Sequence, residues 1–236
     1  MIYKESLIDI LEQLVASIPT TVTVNNSVDN LDGTQTISVC DALYAQVGFQ
    51  FTIGPDTYTI IAVDQENETI TVSPAVPLIV ATSFSLYAPY FFHGTPIETS
   101  TELDQNKEAS TKTPMVYLLE NFSEEFNEDE ELVVERESRV RLFFLTQANF
   151  AEWTTDNFYD FAIVPMRRLM ENFFEQVRTN RRFDTLEQSF TATNHIRFGV
   201  YISNRGVEKS LFVDNLSGVE MEITLTILKD NLCPPC

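Results

Sequence analysis

The chain has 236 residues, 44% of them hydrophobic, and it includes 18 phenylalanines. A chain of this length and composition can bury a substantial core in one large domain or two small ones. Its formal net charge of −20 argues against partners that present phosphate backbones or anionic lipid surfaces, because like charges repel. We therefore expect the protein to bind neither a membrane nor nucleic acid.

The N-terminal segment MIYKESLIDILEQL lacks the basic start and the apolar core of a signal peptide. No apolar run approaches the roughly 20 residues that a membrane span needs. The three cysteines, an odd number, fit a reducing compartment better than a disulfide framework. These features predict a protein that is made in the cytoplasm.

Residues 1–19 are predicted to form an amphipathic helix that packs on the C-terminal domain. Apolar residues recur at spacings of three and four, and Pro19 ends the pattern. The apolar stripe consists of Leu7, Ile10, Leu11, Leu14, Val15 and Ile18.

Residues 20–92 predict a small antiparallel β-barrel or sandwich domain, inserted between the N-terminal helix and the C-terminal domain. Segments such as TQTISV and TYTIIAV alternate apolar and polar residues, as half-buried strands do. Turn sequences separate the strands at intervals of about ten residues. Residues 93–114 are polar, contain prolines and show no periodicity, which predicts a linker or long loop.

The C-terminal domain, residues 115–232, mixes strand and helix signals, and residues 233–236 form a tail. Its predicted helix has Thr155 or Asp156 as the expected N-cap and Pro165 as a kink or a new first turn. The expected fold class is therefore α+β, a mixed or antiparallel sheet flanked by helices. The predicted strands are MVYLLENF, residues 132–145, NHIRFGVYI and GVEMEITLTIL, and the helical stripe is Phe158, Phe161, Ala162, Pro165, Leu169 and Phe173.

Few residues suggest a catalytic or metal-binding role. His93 and His195 are interpreted as polar loop or surface residues, with catalysis as the alternative. The terminal CPPC contains Cys233 and Cys236. It has neither a second ligand pair for zinc nor a helix that would lower a thiol pKa. We interpret it as a tail, with a disulfide or metal contact as the alternative. The segment VDNLDG fits a hairpin turn better than a calcium loop. We expect no enzyme activity, catalytic residue, metal or cofactor.

The stretch SEEFNEDEELVVERESRVRLFFL, residues 123–145, begins as an acidic tract and ends as an apolar strand. Its middle carries charge on both faces of the predicted strand, which would leave no face to cover a core. We interpret residues 123–141 as a charged arm, a hairpin that leaves the domain to contact a neighbouring copy or to line a ring lumen. The residues assigned to this role are Glu124, Glu125, Glu128, Asp129, Glu130, Glu131, Glu135, Arg136, Glu137, Arg139 and Arg141.

A basic cluster lies on and after the second long helix. A basic surface that meets an acidic surface of a neighbouring copy would suit the head-to-tail contacts of a ring. A phosphate-binding helix is the alternative, and the net charge disfavours it. The predicted subunit-interface residues are Arg167, Arg168, Arg178, Arg181 and Arg182.

Several segments resemble phage tail-terminator and tail-completion (neck) proteins, of the kind found in phages of Bacteroidetes hosts. They are TPMVYLLE with the acidic loop after it, RVRLFFL, VPMRRLMENFFEQV and LFVDNLSGVEMEITLTIL, and the resemblance covers roughly residues 1–18 and 95–232. It implies a mixed sheet flanked by helices, no enzymatic activity and a homo-oligomeric ring, usually hexameric, with a 12-mer as the alternative. It also implies partners among tail tube and neck or connector proteins, DNA that only passes through an acidic lumen, assembly in the host cytoplasm and a final location in the virion tail or neck.

Two other functions stay open. The near alternative is an adaptor or neck ring protein under the portal. The alternative from a different class is a carbohydrate- or receptor-binding module that uses the β-domain. Its stacking surfaces would be Tyr58, Tyr87, Tyr90, Phe91 and Phe92, although core and domain-interface positions are the favoured interpretation of these aromatic residues.

Overall fold

The computed structural model describes residues 6–75, 82–105, 112–128, 134–184 and 189–228. Two six-stranded sheets and a two-stranded hairpin dominate this part of the chain, and helices pack against them. The α+β fold class is therefore confirmed. None of the helices in these ranges is long and apolar enough to cross a membrane.

The predicted N-terminal helix is present as α1, Leu7–Ala16. Its first turn is closed by a capping box, in which Ser6 Oγ accepts from Asp9 N at 3.1 Å and Asp9 Oδ2 accepts from Ser6 N at 3.2 Å. The apolar stripe is buried and packs toward strand β7 (Tyr90–Gly94) and helix α4 (Val164–Thr179). The helix thus lies against elements that follow the β-domain in the sequence.

The first sheet is an antiparallel, nearly closed barrel with the strand order β3-β4-β5-β2-β1-β6. Its two end strands also contact each other, and Phe51 of β3 stacks on Phe84 of β6 with ring centroids 3.8 Å apart. The predicted small antiparallel barrel is confirmed. The strands are β1 Thr21–Asp29, β2 Gln35–Val39, β3 Gln50–Ile53, β4 Asp56–Asp64, β5 Thr69–Ser73 and β6 Ser83–Ser85.

The segment VDNLDG forms the turn between β1 and β2, as predicted. The carboxylate of Asp29 accepts from Leu31 N at 2.8 Å, and that of Asp32 accepts from Thr34 N at 2.9 Å. Gly33 has a φ of 87°, which an L side chain rarely adopts. The acidic side chains therefore serve the turn itself.

The second sheet is mixed, with the order β11-β14-β10-β8-β7 and with β9 on the free half of β10. Strands β7 and β8 are parallel, and the other pairs are antiparallel. Strand β10 pairs with β14 along almost its whole length, from Glu135 opposite Leu228 to Gln147 opposite Leu216. The remaining bounds are β8 Met115–Leu119, β9 Ser123–Glu128, β10 Val134–Gln147, β11 Phe190–Phe198 and β14 Leu216–Leu228.

The prediction of a linker or long loop over residues 93–114 is wrong for residues 93–105, and residues 106–111 lie outside the described ranges. Strand β7 ends at Gly94, and helix α2, Pro96–Gln105, follows it to make the crossover to the parallel strand β8. The start signal is TPIE: Thr95 N donates to Glu98 Oε2 at 3.0 Å, and proline takes the first helical position. The helix is mostly polar, so its periodicity is weak. The β-domain also ends earlier than residue 92, since β7 belongs to the second sheet.

The second long helix consists of α3 (Thr155–Phe158), a π-helical turn (Tyr159–Ile163) and α4. Its N-cap is Thr154, whose hydroxyl accepts from Asn157 N at 3.4 Å, rather than Thr155 or Asp156. Pro165 has no N–H and its ring crowds the preceding turn. The wider turn, in which Val164 N donates to Tyr159 O, accommodates it.

One continuous core joins the barrel, α1, α4 and one face of the second sheet. The other face of this sheet has a smaller aromatic cluster that includes Leu103 of α2, Tyr117, Phe143 and Phe198. Strand β10 contributes to both, because Val140, Leu142 and Phe144 face the first cluster while Phe143 and Leu145 face the second. The centre of the second sheet is therefore buried on both sides.

Gly218→Ala tests how tightly β10 and β14 approach. A Cβ at Gly218 would overlap the carbonyl oxygen of Phe144, which cannot move without breaking the ladder. We expect the substitution to lower the free energy of unfolding by about 3 kcal/mol, as overpacking does at tight sites. Urea unfolding followed by circular dichroism measures this change. The control Thr224→Ala, at an exposed position of the same strand, should cost less than about 1 kcal/mol, and equal losses for the two variants would contradict the prediction.

Candidate functional site

The charged strand lies inside the second sheet rather than beyond it. Arg136 is only 3% exposed and Ser138 is fully buried, so the interpretation that this half of the strand has left the core is wrong. Strand β14 continues beside it on one edge and β9 covers the other. Glu124 of β9 accepts from Ser138 Oγ at 3.1 Å and lies 3.4 Å from Arg136 Nε. The carboxylate of Glu124 thus compensates the buried guanidinium.

The arginines on the opposite face of β10 have partners on β14 of the same chain. Arg139 Nη2 lies 2.9 Å from Glu222 Oε1, and Arg141 Nη2 lies 2.5 Å from Glu220 Oε1. These are diagonal cross-strand pairs, which lie within reach of long side chains. Both arginines therefore have acidic partners within the chain, and their contact with a neighbouring copy stays a prediction.

Glu220 is shared between two partners, Arg141 and His195. Its Oε2 lies 2.8 Å from His195 Nε2, while its Oε1 accepts from Arg141. The ring of Phe143 lies close to both partners, 5.8 Å from the His195 ring and 5.7 Å from the Arg141 guanidinium. This arrangement neutralises a buried carboxylate at the margin of the aromatic cluster. We interpret it as a structural network, because the nearby Ser217 hydroxyl donates to the backbone carbonyl of His195 at 3.2 Å and not to its ring.

The other arm residues are only partly described. Glu125 is exposed and Glu137 half-buried on the sheet. Asp129, Glu130 and Glu131 lie outside the described residues, as do the side chains of Glu128 and Glu135.

The predicted interface arginines are mostly engaged within the chain. Arg167 donates twice to Asn194 Oδ1, at 3.1 and 2.9 Å. Arg168 lies within 3.8 Å of Glu68 of the barrel, and Arg178 pairs with Glu175 at 2.7 Å. Of the remaining two arginines, Arg182 donates to Gln13 of α1 at 2.9 Å, and Arg181 is exposed. The cluster therefore links α4 to the barrel, to β11 and to α1.

The remaining candidates for catalysis or metal binding do not form one site among the described residues. His93 Nδ1 lies 2.6 Å from Glu120 Oε1 at the surface, far along the sheet from the His195 network. Cys233 and Cys236 lie outside the described residues, and Cys40 is exposed. Among the described residues, no group of three or more histidine, cysteine or acidic side chains could hold a metal ion.

A feature that the sequence analysis missed is the two-stranded hairpin between β11 and β14. Among the described strands, β12 (Val200–Ile202) and β13 (Glu208–Ser210) pair with each other and with no other strand. We call residues 200–213 the apolar hairpin, because it exposes large apolar side chains to solvent. They are Tyr201, Ile202, Val207, Leu211 and Val213, with Ile202 and Val213 75% and 77% exposed.

The base of the apolar hairpin is fixed to the body of the protein. Phe212 stacks on Phe198 with ring centroids 5.3 Å apart, and a Cβ at Gly199 would overlap the Phe212 ring. The buried Lys112 lies 3.3 Å from Asp214, and Arg197 lies 2.9 Å from Glu208. Gly199 has a φ of 73° and separates β11 from β12, so the predicted single strand NHIRFGVYI is divided.

A second feature is a cleft of about 650 Å³ between the barrel and the second sheet. It lies where the barrel loop of residues 46–50 faces the segment of residues 146–149 at the end of β10. Of the five aromatic residues proposed as stacking surfaces, only Tyr87 lines it; Tyr58 and Phe92 are buried in the two clusters. Tyr90 and Phe91 pack on those clusters from strand β7.

The signals for both features are weak in the sequence. The apolar hairpin contains the short apolar run VYI followed by the turn-forming SNRG, and an apolar run bounded by a turn that contains glycine is a weak hairpin signal. The cleft residues come from several distant segments, and only the fold brings them together.

Comparison of the chain with protein-family models, with curated proteins and with solved structures gives no significant match. The function therefore has to be inferred from the surfaces of the protein and from the resemblance of its motifs.

Double-mutant cycles should separate the two diagonal pairs of β10 and β14. Glu220 has a side chain only 9% exposed, whereas Glu222 is 42% exposed. We expect a coupling of about 1.5 kcal/mol between Arg141 and Glu220 and at most about 0.5 kcal/mol between Arg139 and Glu222. Urea unfolding of the alanine single and double variants gives both couplings. Equal values would show that burial of Glu220 does not strengthen its pair.

Proposed function

We propose that the protein is a non-enzymatic structural subunit that forms a homo-oligomeric ring at the head-proximal end of a phage tail. In this role it acts as a tail terminator or completion protein that contacts the tail tube and the neck. The exposed apolar hairpin is the observation that carries the proposal. We take the proposed position, at the head-proximal end of the tail, from the resemblance of the flanking motifs to phage tail-terminator proteins.

The apolar hairpin is poorly explained as part of a monomer. Two strands of three residues are marginally stable in water on their own, and contiguous exposed apolar side chains usually mark an interaction site. The contacts of Phe212, Lys112 and Gly199 hold the base in place. A rigid base with an exposed apolar tip suits insertion into a partner at a small entropic cost.

Charge favours a second copy of this chain as that partner. The apolar hairpin contains two basic residues, Arg205 and Lys209, and one acidic residue, Glu208, although the whole chain has a net charge of −20. The remaining surface of every copy is accordingly acidic. A basic, apolar hairpin is therefore complementary to its own chain elsewhere.

The edge of β9 is the surface that we propose as the receiver. Among the described strands, β9 pairs with β10 on one edge and with none on the other, and it exposes Glu124, Glu125 and the apolar Phe126. Contact between two different patches is heterologous, and it closes into a ring when the rotation between subunits permits. The charged arm thus keeps its proposed contact with a neighbour through β9, while Arg139 and Arg141 serve the monomer.

Ile202→Asp combined with Val213→Asp tests the hairpin. Burial of each aliphatic side chain is worth roughly 1.5–3 kcal/mol, so we expect the subunit dissociation constant to rise at least about 100-fold. Sedimentation velocity measures assembly, and circular dichroism verifies the fold. The matched control is Leu31→Asp, on the almost fully exposed barrel turn, which should assemble normally. A wild-type protein that stays monomeric at about 100 μM, or a double variant that assembles normally, would contradict the proposal.

Charge reversal tests the receiver. Arg205→Glu and Glu125→Arg should each weaken assembly, and the double variant should recover part of the loss. Wild-type assembly should also weaken between about 0.05 and 0.5 M salt, because exposed charges are screened over roughly 10 Å or less. If Arg205→Glu weakens assembly but Glu125→Arg does not, the hairpin docks elsewhere than on β9.

A further inference from the structure

We propose that the cleft between the barrel and the second sheet binds a neutral oligosaccharide. This property goes beyond ring formation, and of the five aromatic residues that the sequence suggested for a glycan site it retains only Tyr87. The inference rests on the size of the cleft, the chemistry of its lining, a buried amide without a full set of partners and the fixed positions of its aromatic rings.

The volume of about 650 Å³ lies within the range of roughly 300–1,000 Å³ that is usual for small-molecule sites. Both sheets contribute to the lining, so the cleft exists only because the barrel packs on the second sheet. The lining residues are Gln46, Val47, Gly48, Phe49, Gln50, Tyr87, Thr113, Thr146, Gln147, Ala148, Asn149, Trp153 and Asn215.

None of these residues is charged, although charged residues make up 21% of the chain. A nucleotide, a phosphate or an acidic sugar would therefore find no cation among the described residues of the lining to neutralise it. Five of the lining residues are instead carboxamides and two are threonines. A carboxamide presents a donor and an acceptor side by side, which matches the adjacent hydroxyls of a sugar, since each hydroxyl both donates and accepts.

Gln46 supplies an unfilled polar position. Its side chain is buried, and its Oε1 accepts from Thr146 Oγ1 at 2.7 Å. Its Nε2 is also buried and has no acceptor in the part of the chain that the structure describes. Exchange of the two amide atoms would leave Oε1 without a donor instead. A buried amide atom without a partner is unfavourable, and a ligand hydroxyl that reaches it would remove that cost.

The aromatic rings of the cleft are held in place before any ligand arrives. Phe49 and Tyr87 lie with ring centroids 4.9 Å apart, and Tyr44 Oη donates to the carbonyl of Tyr87 at 3.0 Å. Burial raises the pKa of Tyr44, so this donor keeps its proton. The Trp153 ring packs edge-on against Phe158, 5.4 Å between centroids. Such rings offer apolar surface to the C–H face of a sugar.

Trp153 is also the one tryptophan of the chain, so its fluorescence reports directly on the cleft. The experiment titrates the full chain with maltohexaose, cellohexaose, mannohexaose and chitohexaose, each to about 10 mM. An acidic oligogalacturonate, inorganic phosphate and a neutral peptide serve as comparison ligands. We expect at least one neutral oligosaccharide to change the Trp153 emission, with a dissociation constant between about 10 μM and 5 mM.

Gln46→Leu and Tyr87→Ala should each weaken that binding about tenfold or more. Tyr159→Ala, which removes an exposed aromatic side chain outside the cleft lining, should bind like the wild type. Calorimetry provides an independent measure, and circular dichroism confirms that each variant is folded. Gln46→Leu should also assemble like the wild type, which separates this inference from the proposed ring.

Three results would overturn the inference. One is the absence of binding by all four neutral oligosaccharides. Another is binding of only the acidic sugar, the phosphate or the peptide. The third is binding that Gln46→Leu and Tyr87→Ala leave unchanged, which would place the saccharide outside the cleft.

Discussion

The pairing of β10 with β14 is the interaction on which the rest of the structure depends. It runs from Glu135 opposite Leu228 to Gln147 opposite Leu216, and Gly218 permits the close approach at its buried end. Because the ladder is this long, it continues past the aromatic cluster into a charged half. There the carboxylate of Glu124 on β9 compensates the charge of the buried Arg136. On the opposite face of β10, Arg139 and Arg141 pair diagonally with Glu222 and Glu220, respectively. Charge on both faces of a strand is thus compatible with a fully paired position in a sheet.

The same ladder positions both surfaces that we assign to function. At the end where β10 leaves the sheet, Thr146 and Gln147 face the barrel loop and form one wall of the cleft. At the start of β14, Asn215 and Asp214 connect to the base of the apolar hairpin. The proposed ring contact and the proposed glycan site therefore share the same support, but they use different residues. This separation allows assembly and ligand binding to be tested independently.

The barrel packs directly against the second sheet and is not merely connected to it by a linker. Its core is continuous with that of α1, α4 and the sheet, and Arg168 reaches Glu68 across the boundary. The segment after the barrel is a β–α–β crossover, in which Thr95 and Glu98 start the helix. Such a connection fixes the two sheets relative to each other, and a cleft with a defined shape requires that.

The sequence by itself determined the elements whose periodicity is strong and local: α1, the barrel strands, the helix around Pro165 and the alternation of β14. It also contained the capping signal TPIE of α2, although the polar composition of that helix concealed it. Only the tertiary structure decided the partners of the charged residues, because Arg141, Glu220 and His195 lie on three strands whose order no local pattern specifies. The same holds for the cleft, whose amides come from residues 46–50, 146–149 and 215. Local propensity acts over a few residues, whereas these contacts depend on strand order and register, which are set by the packing of the whole core.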